Sequence, residues 1–585
     1  MLRWSQNSTP ISRAFDDIYY ARSAGLAESR YVFLKHNGIP DRWDHTPYFH
    51  IAELGFGAGL NFFATLDLWR QRRNRKARLH FSSFEKFPLK PNEIRKALSA
   101  WPELEEVSRS FLLEYEDLPR GVHRLELEDQ NTILDLWIGD ALESLTQFQT
   151  PVDAWYFDGF SPKKNPDLWT KEIFQEASRV AKLDSTFATY AAASFVRQHL
   201  EAADYCVDKA PGFGRKRDML TGRLAKKKIT LAPLSYPHRN ILGGGIAGLS
   251  LASRFFARNE KARLNEVNED FFRGGSGNPL ALVMPNLSSS ESALSLFSLQ
   301  STLYTLRQYQ RWQRAGHECG WHSSGILQLL NDSKKEERFL LGLAAHRIPP
   351  SLAQLVSRDE ASDIAGIKIH SPAIFWRKSG YVEPHTLKEI LLKNSGPSFT
   401  TSKDKAEETP SVICTAEAAL GLSSLKDWPW KFQRGQISFW QTPDSLRKLR
   451  VPIVYGGYAL PEHKQRMIAG STYNSPELGS GLIDADHAKI TDQAEAALHL
   501  RLTPEISGGR ASNRLGLRDA LPVVGPCEAQ LLNIGYGSKG FSHALLAGEL
   551  LASECLGIGV PLQTKVREAL LARRFAIQNQ AVLSS

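Results

Sequence analysis

The chain has 585 residues, of which 42% are hydrophobic and 23% charged, and a formal net charge of +9. That composition belongs to an ordinary globular protein with room for about two to four domains. It excludes a bilayer-spanning chain, because no apolar run is long enough, and a zinc or disulfide framework, because Cys206, Cys319, Cys414, Cys527 and Cys555 are scattered with no C-x-x-C pair.

Met1 to Pro10 is polar and lacks the apolar region of a secretory signal, so a reducing cytoplasm is the expected compartment. Pro10 to Trp43 reads as an N-terminal cap before the main sheet. Phe49-His50-Ile51-Ala52-Glu53-Leu54-Gly55-Phe56-Gly57-Ala58-Gly59-Leu60-Asn61 then reads as strand, glycine turn and helix, in the pattern E-x-G-x-G-x-G. Glu53 before the glycines suits a nucleoside ligand without a pyrophosphate. Gly55 and Gly57 let a small amino-acid-bearing ligand lie against the backbone. Further strands also end in carboxylates: 79–84 runs into Glu85, 133–138 runs through Gly139 to Asp140, and 152–157 runs into Asp158. In an open parallel sheet ligands bind outside the carboxyl ends of the strands, so these acids converge on one crevice.

This order of elements resembles the S-adenosylmethionine-dependent methyltransferase fold. The resemblance implies Glu53, Gly55 and Gly57 around the methionine part of the cofactor, Glu85 on its ribose hydroxyls and Asp140 at its adenine. Asp158 falls where the cofactor meets the acceptor. Methyl transfer from a sulfonium is an in-line displacement that needs a positioned lone pair. An acceptor amine is largely protonated in neutral water, and a carboxylate at Asp158 would orient it and take its proton. Leu183-Asp184-Ser185-Thr186-Phe187 departs from the pattern, which has a Gly-Gly turn there.

Basic residues gather in two places. Arg70, Arg72, Arg73, Arg75, Lys76 and Arg78 read as a solvated helix face or a phosphate-binding run. Between Tyr205 and Arg239, Lys209, Arg215, Lys216, Arg217, Arg223, Lys226, Lys227, Lys228 and Arg239 far outweigh Asp208 and Asp218. Such a cluster can pair with a polyanion's backbone phosphates, and Arg215, Lys216, Arg217, Lys226, Lys227 and Lys228 are the expected contacts; a merely basic surface is the alternative. Residues 231–238, with Pro233 and Pro237, read as a linker between a first domain at 1–230 and a second at 239–585.

The second domain opens on a strand, a glycine turn and a helix. Gly243, Gly245 and Gly248 fit G-x-G-x-x-G, in which the glycines allow the tight turn, the approach of a pyrophosphate and close helix packing. Ala262-Arg263-Leu264-Asn265-Glu266 follows as a second strand ending in Glu266, where a ribose hydroxyl would need an acceptor. Residues 290–315 have helical spacing and read as core. Val412–Ala416 reads as a strand returning to the nucleotide-binding sheet. Leu531–Phe541 reads as a strand and a second glycine turn before a helix from His543 to Cys555. This half resembles the glycine-oxidase-like flavoproteins. The resemblance implies Ser276 and Asn278 in a loop over FAD, and Gly537 and Gly540 in a turn facing the flavin ring. It also makes Phe432–Ile437 an R-G-Q turn leading into a substrate-domain sheet. Arg518 is the expected holder of a substrate carboxylate, because a guanidinium binds carboxylate two-pronged, with Lys539 as a second substrate contact.

Four stretches carry a more specific resemblance: 30–34 (RYVFL), 84–89 (FEKFPL), 158–169 (DGFSPKKNPDLW) and 211–220 (PGFGRKRDML). Together they make the chain similar, over nearly its whole length, to the bifunctional bacterial tRNA 5-methylaminomethyl-2-thiouridine biosynthesis family. The fold class implied is α/β: a Rossmann-like class I methyltransferase domain, then a glycine-oxidase-like FAD domain whose nucleotide-binding Rossmann part joins an α+β substrate part. The function implied is modification of a tRNA wobble uridine with FAD and S-adenosylmethionine and without a metal, by a chain expected to be a monomer away from membranes. The residues alone leave two other readings open: an amino-acid oxidase joined to an unrelated methyltransferase, and a non-catalytic tRNA-binding protein.

Overall fold

The structure, a computed structural model, describes residues 2–575 apart from 6–8, 22–23, 45, 73–76, 128–130, 226–238, 269, 397–398, 402–411, 423–424, 480 and 503–505. The chain divides into two compact units, Met1–Ser235 with Leu556–Thr564, and Tyr236–Cys555 with Lys565–Ser585. The expected linker 231–238 and Lys226, Lys227 and Lys228 lie outside the described residues, as do Arg73, Arg75 and Lys76. Among the described residues no helix is long and apolar enough to cross a membrane.

The first unit is built on strands β1 (Tyr48–Leu54), β2 (Arg78–Glu85), β3 (Gly121–Leu127), β4 (Thr132–Ile138), β5 (Val152–Phe157), β6 (Ala181–Thr189), β7 (Tyr205–Pro211) and β8 (Asp218–Leu224). Their order is β3-β4-β2-β1-β5-β6-β8-β7. The five inner strands from β4 to β6 run parallel, and β3, β8 and β7 close the edges in antiparallel pairs. A parallel strand covered on both faces reads as a nearly continuous apolar run, and β1 and β4 are buried along almost their whole length. After β1 the chain goes to β2 on one side and later to β5 on the other, so the sheet reverses its order beside β1. That reversal opens a crevice at the carboxyl ends of β1 and its neighbours.

Helices cover the sheet. In α1 (Leu60–Arg72), Phe62, Phe63, Leu66 and Trp69 are fully buried at helical spacing. Each such side chain contributes about 1.5–3 kcal/mol on leaving water. Asp140 caps α2 (Ala141–Thr146), and Thr170 caps α3 (Lys171–Val180), whose Ile173, Phe174, Ala177 and Val180 face the sheet. Before β1 lie a two-stranded hairpin, Leu2–Trp4 with Pro10–Ser12, and the short helix Gly25–Ser29. Leu183–Phe187 is part of β6 and holds Asp184 at φ +63°, so a bend within a strand stands where the family pattern has its glycine pair.

In the second unit, β9 (Asn240–Leu242), β10 (Arg263–Glu266), β11 (Phe399–Thr401), β12 (Val412–Ile413), β13 (Val523–Cys527) and β14 (Gln530–Ile534) form a sheet in the order β11-β10-β9-β12-β14-β13. All are parallel except β13. Helix α4 (Ile246–Ala257) follows β9. The 22-residue helix α5 (Ala293–Arg314) is almost wholly buried, as its spacing implies. Helix α6 (Gly540–Cys555) follows β14 and is likewise buried along nearly its whole length. A second sheet of the unit is dominated by two long antiparallel strands, Trp430–Gln441 and Ile506–Leu517. Phe432–Ile437 is therefore not a turn: it lies inside the first of them. Arg434 is fully buried there, paired with Asp486 at 2.5 Å. The run that the flavoprotein resemblance makes a turn is internal wiring of a strand.

Candidate functional sites

A cavity of about 690 Å³ opens at the carboxyl ends of the first unit's parallel strands. Gly55 and Gly57 from the turn after β1, Glu85 from the end of β2, Asp140 after β4 and Asp158 after β5 all line it. Gly55 and Gly57 have φ of +80° and +52°, a backbone that side-chain-bearing residues rarely adopt. Glu85 accepts hydrogen bonds from the N–H groups of Gly57 at 2.9 Å and Phe87 at 2.7 Å. Loss of water raises the Glu85 carboxyl despite those bonds. Burial also acts to raise Asp140, but a 3.0 Å bond from Lys86 Nζ and the amides of Glu143 and Leu142 outweigh it and hold the carboxyl below its usual range.

Glu53 occupies a different place from the other acids. It is only 1% exposed and sits behind the cavity wall. Asn61, in the first turn of α1, joins it to the cavity. Asn61 Nδ2 donates to Glu53 Oε1 at 2.9 Å and to Asp158 Oδ2 at 2.7 Å. Ser29 Oγ donates to Asn61 Oδ1 at 2.6 Å, and Ser83 Oγ donates to Glu53 Oε2 at 2.6 Å. Burial pushes Glu53 well above the ordinary carboxyl range and Asp158 up to about 6.

The N-terminal cap supplies part of the wall through Tyr19, Glu28 and Ser29. Tyr190 donates to the carbonyl of Gly159 at 2.7 Å. Lys216 lies at the same cavity, its Nζ 4.2 Å from the Tyr190 ring centre and 2.7 Å from Glu28 Oε1. Arg215 and Arg217 flank it, exposed, in the turn between β7 and β8. Sequence reasoning passed over Asn61, Glu28 and Tyr190. Asn61 had one usable signal, its place just past the last glycine of the turn.

The second unit has a cavity of about 400 Å³. Gly243, Gly245, Glu266, Ser276, Asn278, Gly537, Lys539 and Gly540 all line it. Gly248 lies in the first turn of α4, and a Cβ there would sit 1.9 Å from the carbonyl oxygen of Gly243. Glu266 accepts from the N–H of Gly244 at 2.6 Å and from Asn268. Ser276 Oγ accepts from the N–H of Ile246 at 3.0 Å, which fastens the loop to the start of α4. Asn278 Oδ1 accepts from Arg510 at 2.7 Å. Burial lowers the Lys539 ammonium.

Arg518 is exposed and does not reach this cavity: the strand ends at Leu517, and Arg518 lies past it. Arg514, inside the strand, lines the cavity instead. Its guanidinium lies over Gly435 of the neighbouring strand, where a Cβ would come within 2.2 Å of Cζ, and 5.1 Å from the Tyr473 ring centre. The glycine of the R-G-Q run therefore leaves room for an arginine on the next strand.

Residues 102–225 match the S-adenosyl-L-methionine-dependent methyltransferase family, and residues 241–554 match the FAD dependent oxidoreductase family. Fold and sites thus define a two-unit enzyme, one unit a methyltransferase using S-adenosylmethionine and the other an oxidoreductase using FAD. Among curated relatives, the tRNA 5-methylaminomethyl-2-thiouridine biosynthesis bifunctional protein of Chromobacterium violaceum is 33% identical, over 98% of this chain and 97% of its own. That of Aeromonas hydrophila is 34% identical, over 99% and 97%. The chain belongs to this family of bifunctional proteins. A solved glycine oxidase from Bacillus cereus aligns over 54% of this chain and 94% of its own, at 17% identity and a TM-score of 0.47.

Proposed function

We propose that the chain converts 5-carboxymethylaminomethyl-(2-thio)uridine at the wobble position of tRNA to 5-aminomethyl-(2-thio)uridine, and then methylates that amine to 5-methylaminomethyl-(2-thio)uridine. Residues 239–585 carry the first step and residues 1–230 the second. The observation that carries this reading is whole-length membership in the family together with two separate lined cavities, one in each unit. When bound, FAD supplies a hydride acceptor and S-adenosylmethionine an electrophilic methyl group.

In the oxidising unit, the amides of the Gly243–Gly245 turn and the start of α4 suit a pyrophosphate, and Glu266 suits a ribose hydroxyl. Ser276 and Asn278 hold the covering loop. Gly537, Gly540 and the N-terminus of α6 face the redox centre, where amides and helix dipole favour negative charge. Arg514, rather than Arg518, holds the substrate carboxylate, because Arg514 lines the cavity from inside the strand and Arg518 does not reach it; Lys539 lines the same cavity. The substrate carbon next to the amine loses a hydride and the nitrogen a proton. The imine takes up water, and glyoxylate leaves the free aminomethyl group.

In the methylating unit, Gly55 and Gly57 cradle the methionine part of the cofactor, Glu85 takes its ribose and Asp140 lies at its adenine; Glu53 supports them from behind. Asp158 receives the proton of the acceptor ammonium. The amine lone pair then forms the N–C bond as the methyl–sulfur bond breaks, with the electron pair leaving on sulfur. Arg215, Lys216 and Arg217 beside this cavity, with Lys226, Lys227 and Lys228, meet the tRNA backbone. The chain works in the cytoplasm as a monomer, a reading supported for the compartment by its scattered cysteines.

The test is nucleoside analysis of tRNA carrying 5-carboxymethylaminomethyluridine after incubation with the flavin-loaded protein. Aminomethyluridine without S-adenosylmethionine and methylaminomethyluridine with it support the reading. Unchanged tRNA, with turnover of free glycine or sarcosine instead, overturns it.

A further inference from the structure

We propose that Asn61 is a positioning residue for methyl transfer: it ties Asp158 to the buried Glu53 and so fixes the carboxylate that receives the acceptor's proton. The inference rests on the reading that Asp158 faces the acceptor amine.

The geometry uses every polar atom of the Asn61 side chain. Its amide nitrogen carries two hydrogens and no charge, and one hydrogen goes to each carboxylate, at 2.9 Å to Glu53 and 2.7 Å to Asp158. Its oxygen takes the hydroxyl of Ser29 at 2.6 Å. The bond to Asp158 sets the orientation: a flipped amide would turn its oxygen toward carboxylate oxygens that only accept, whereas the Ser29 hydroxyl can donate or accept. Ser83 fixes the far side of Glu53. Asp158 is therefore fastened through Asn61 to β1, β2 and the N-terminal helix Gly25–Ser29, elements that are themselves packed. No residue other than Asn or Gln offers two uncharged donors and an acceptor on one planar group, and Gln would reach one methylene too far.

The same link affects when Asp158 is ionised. Charged and titratable groups couple to it from several elements: Glu53 on β1, itself influenced by Glu85, Glu28 on the N-terminal helix, Lys216 from the β7–β8 turn and Tyr190 after β6. Burial and Glu28 favour the neutral acid, whereas the Gly159 amide, Asn61 and Lys216 favour the carboxylate. A hydrogen bond to the charged form stabilises that form. Removing Asn61 therefore raises the pH at which Asp158 ionises and leaves two carboxyl groups without a shared donor.

The experiment uses the full chain, saturating S-adenosylmethionine and tRNA carrying 5-aminomethyluridine, with Asn61→Ala, Ser29→Ala and Asp158→Asn. Asn61→Ala is expected to lower kcat about tenfold and to move the acid limb of the kcat–pH profile upward by about half a unit or more. The KM for tRNA and the Kd for S-adenosylmethionine should stay within about twofold, a split that simple loss of structure does not produce. Ser29→Ala touches neither carboxylate and should move the limb the same way by less. It carries the test if Asn61→Ala does not fold. Wild-type kcat and acid limb in Asn61→Ala, or in Ser29→Ala where that variant stands in, overturn the inference. If Asp158→Asn is itself fully active, the underlying reading of Asp158 fails; if Asp158→Asn is inactive and the other two match wild type, only the role of Asn61 fails.

Discussion

The carboxylate of Glu85 accepts a hydrogen bond from the N–H of Gly57 at 2.9 Å, so the acid that ends β2 and the glycine turn that ends β1 form a single edge. The second unit repeats the device: Glu266, ending β10, accepts from the N–H of Gly244 after β9 at 2.6 Å. In both units the acid holds the glycine turn in shape and lines the cavity, and the proposed function gives it the cofactor's ribose. Glu85→Gln and Glu266→Gln should therefore each weaken one cofactor selectively. A hydrogen bond to a charged group is worth about 1.5–3 kcal/mol, or roughly 10- to 150-fold in affinity. Calorimetric titration with S-adenosylmethionine and flavin retention on gel filtration check this. Equal loss of both cofactors in either variant would count against separate sites.

Gly248→Ala should damage the second unit through sterics alone. The added Cβ would lie 1.9 Å from the Gly243 carbonyl oxygen, which is backbone and has little room to move. Overpacking of this kind costs about 1–3 kcal/mol. Flavin should be lost at lower temperature than in wild type, read by flavin fluorescence during heating, while methylation of pre-formed aminomethyluridine tRNA persists.

Methyl transfer should fall as pH drops through about 6, the value to which burial lifts Asp158. The sign follows from the role: a protonated Asp158 cannot take the acceptor's proton, so activity is present above that pH and lost below it, about tenfold per unit. A kcat unchanged between about pH 7 and 5 would remove Asp158 from the chemistry.

Arg514→Lys should raise the KM of the oxidative step, because an ammonium cannot grip a carboxylate two-pronged. Arg518→Lys should leave it unchanged. Gly435→Ala should mimic the Arg514 variant, since its Cβ would displace the guanidinium. Steady-state kinetics of glyoxylate release separate the three.

Changing Arg215, Lys216 and Arg217 to Ala should weaken tRNA binding and flatten the dependence of log affinity on log salt, by about one unit for each phosphate left without its cation. Lys216 also pairs with Glu28 and lies over Tyr190, so its substitution should disturb the methylating cavity as well. Filter binding at several salt concentrations reads the first effect, and the methylation rate the second.

Much of this architecture was legible in the sequence because its signals are local. A strand, a glycine turn and a helix lie within about 15–20 contiguous residues, and an acid at a strand end needs only that strand to be recognised. What escaped depends on distant pairing. Asn61 meets Asp158 across 97 positions and Ser29 across 32, and no spacing within one segment reveals either pairing. Arg514 and Arg518 differ by four positions and so share a strand face by period; only the end of the strand at Leu517 separates one that lines the cavity from one that does not. The R-G-Q run reads as a turn only through the flavoprotein resemblance, yet Arg434 is buried against Asp486, a partner 52 positions away. The return of Leu556–Thr564 to the first unit, where Thr564 donates to the carbonyl of Gln147 at 2.7 Å, leaves no mark in composition or periodicity.

The most direct test of two successive activities with Asp158 at the second is mass analysis of the wobble nucleoside after tRNA carrying 5-carboxymethylaminomethyluridine meets Asp158→Asn protein, FAD and S-adenosylmethionine. The account predicts that 5-aminomethyluridine accumulates while wild-type protein proceeds to 5-methylaminomethyluridine. Methylated product at the wild-type level, or substrate left untouched by both proteins, would contradict it.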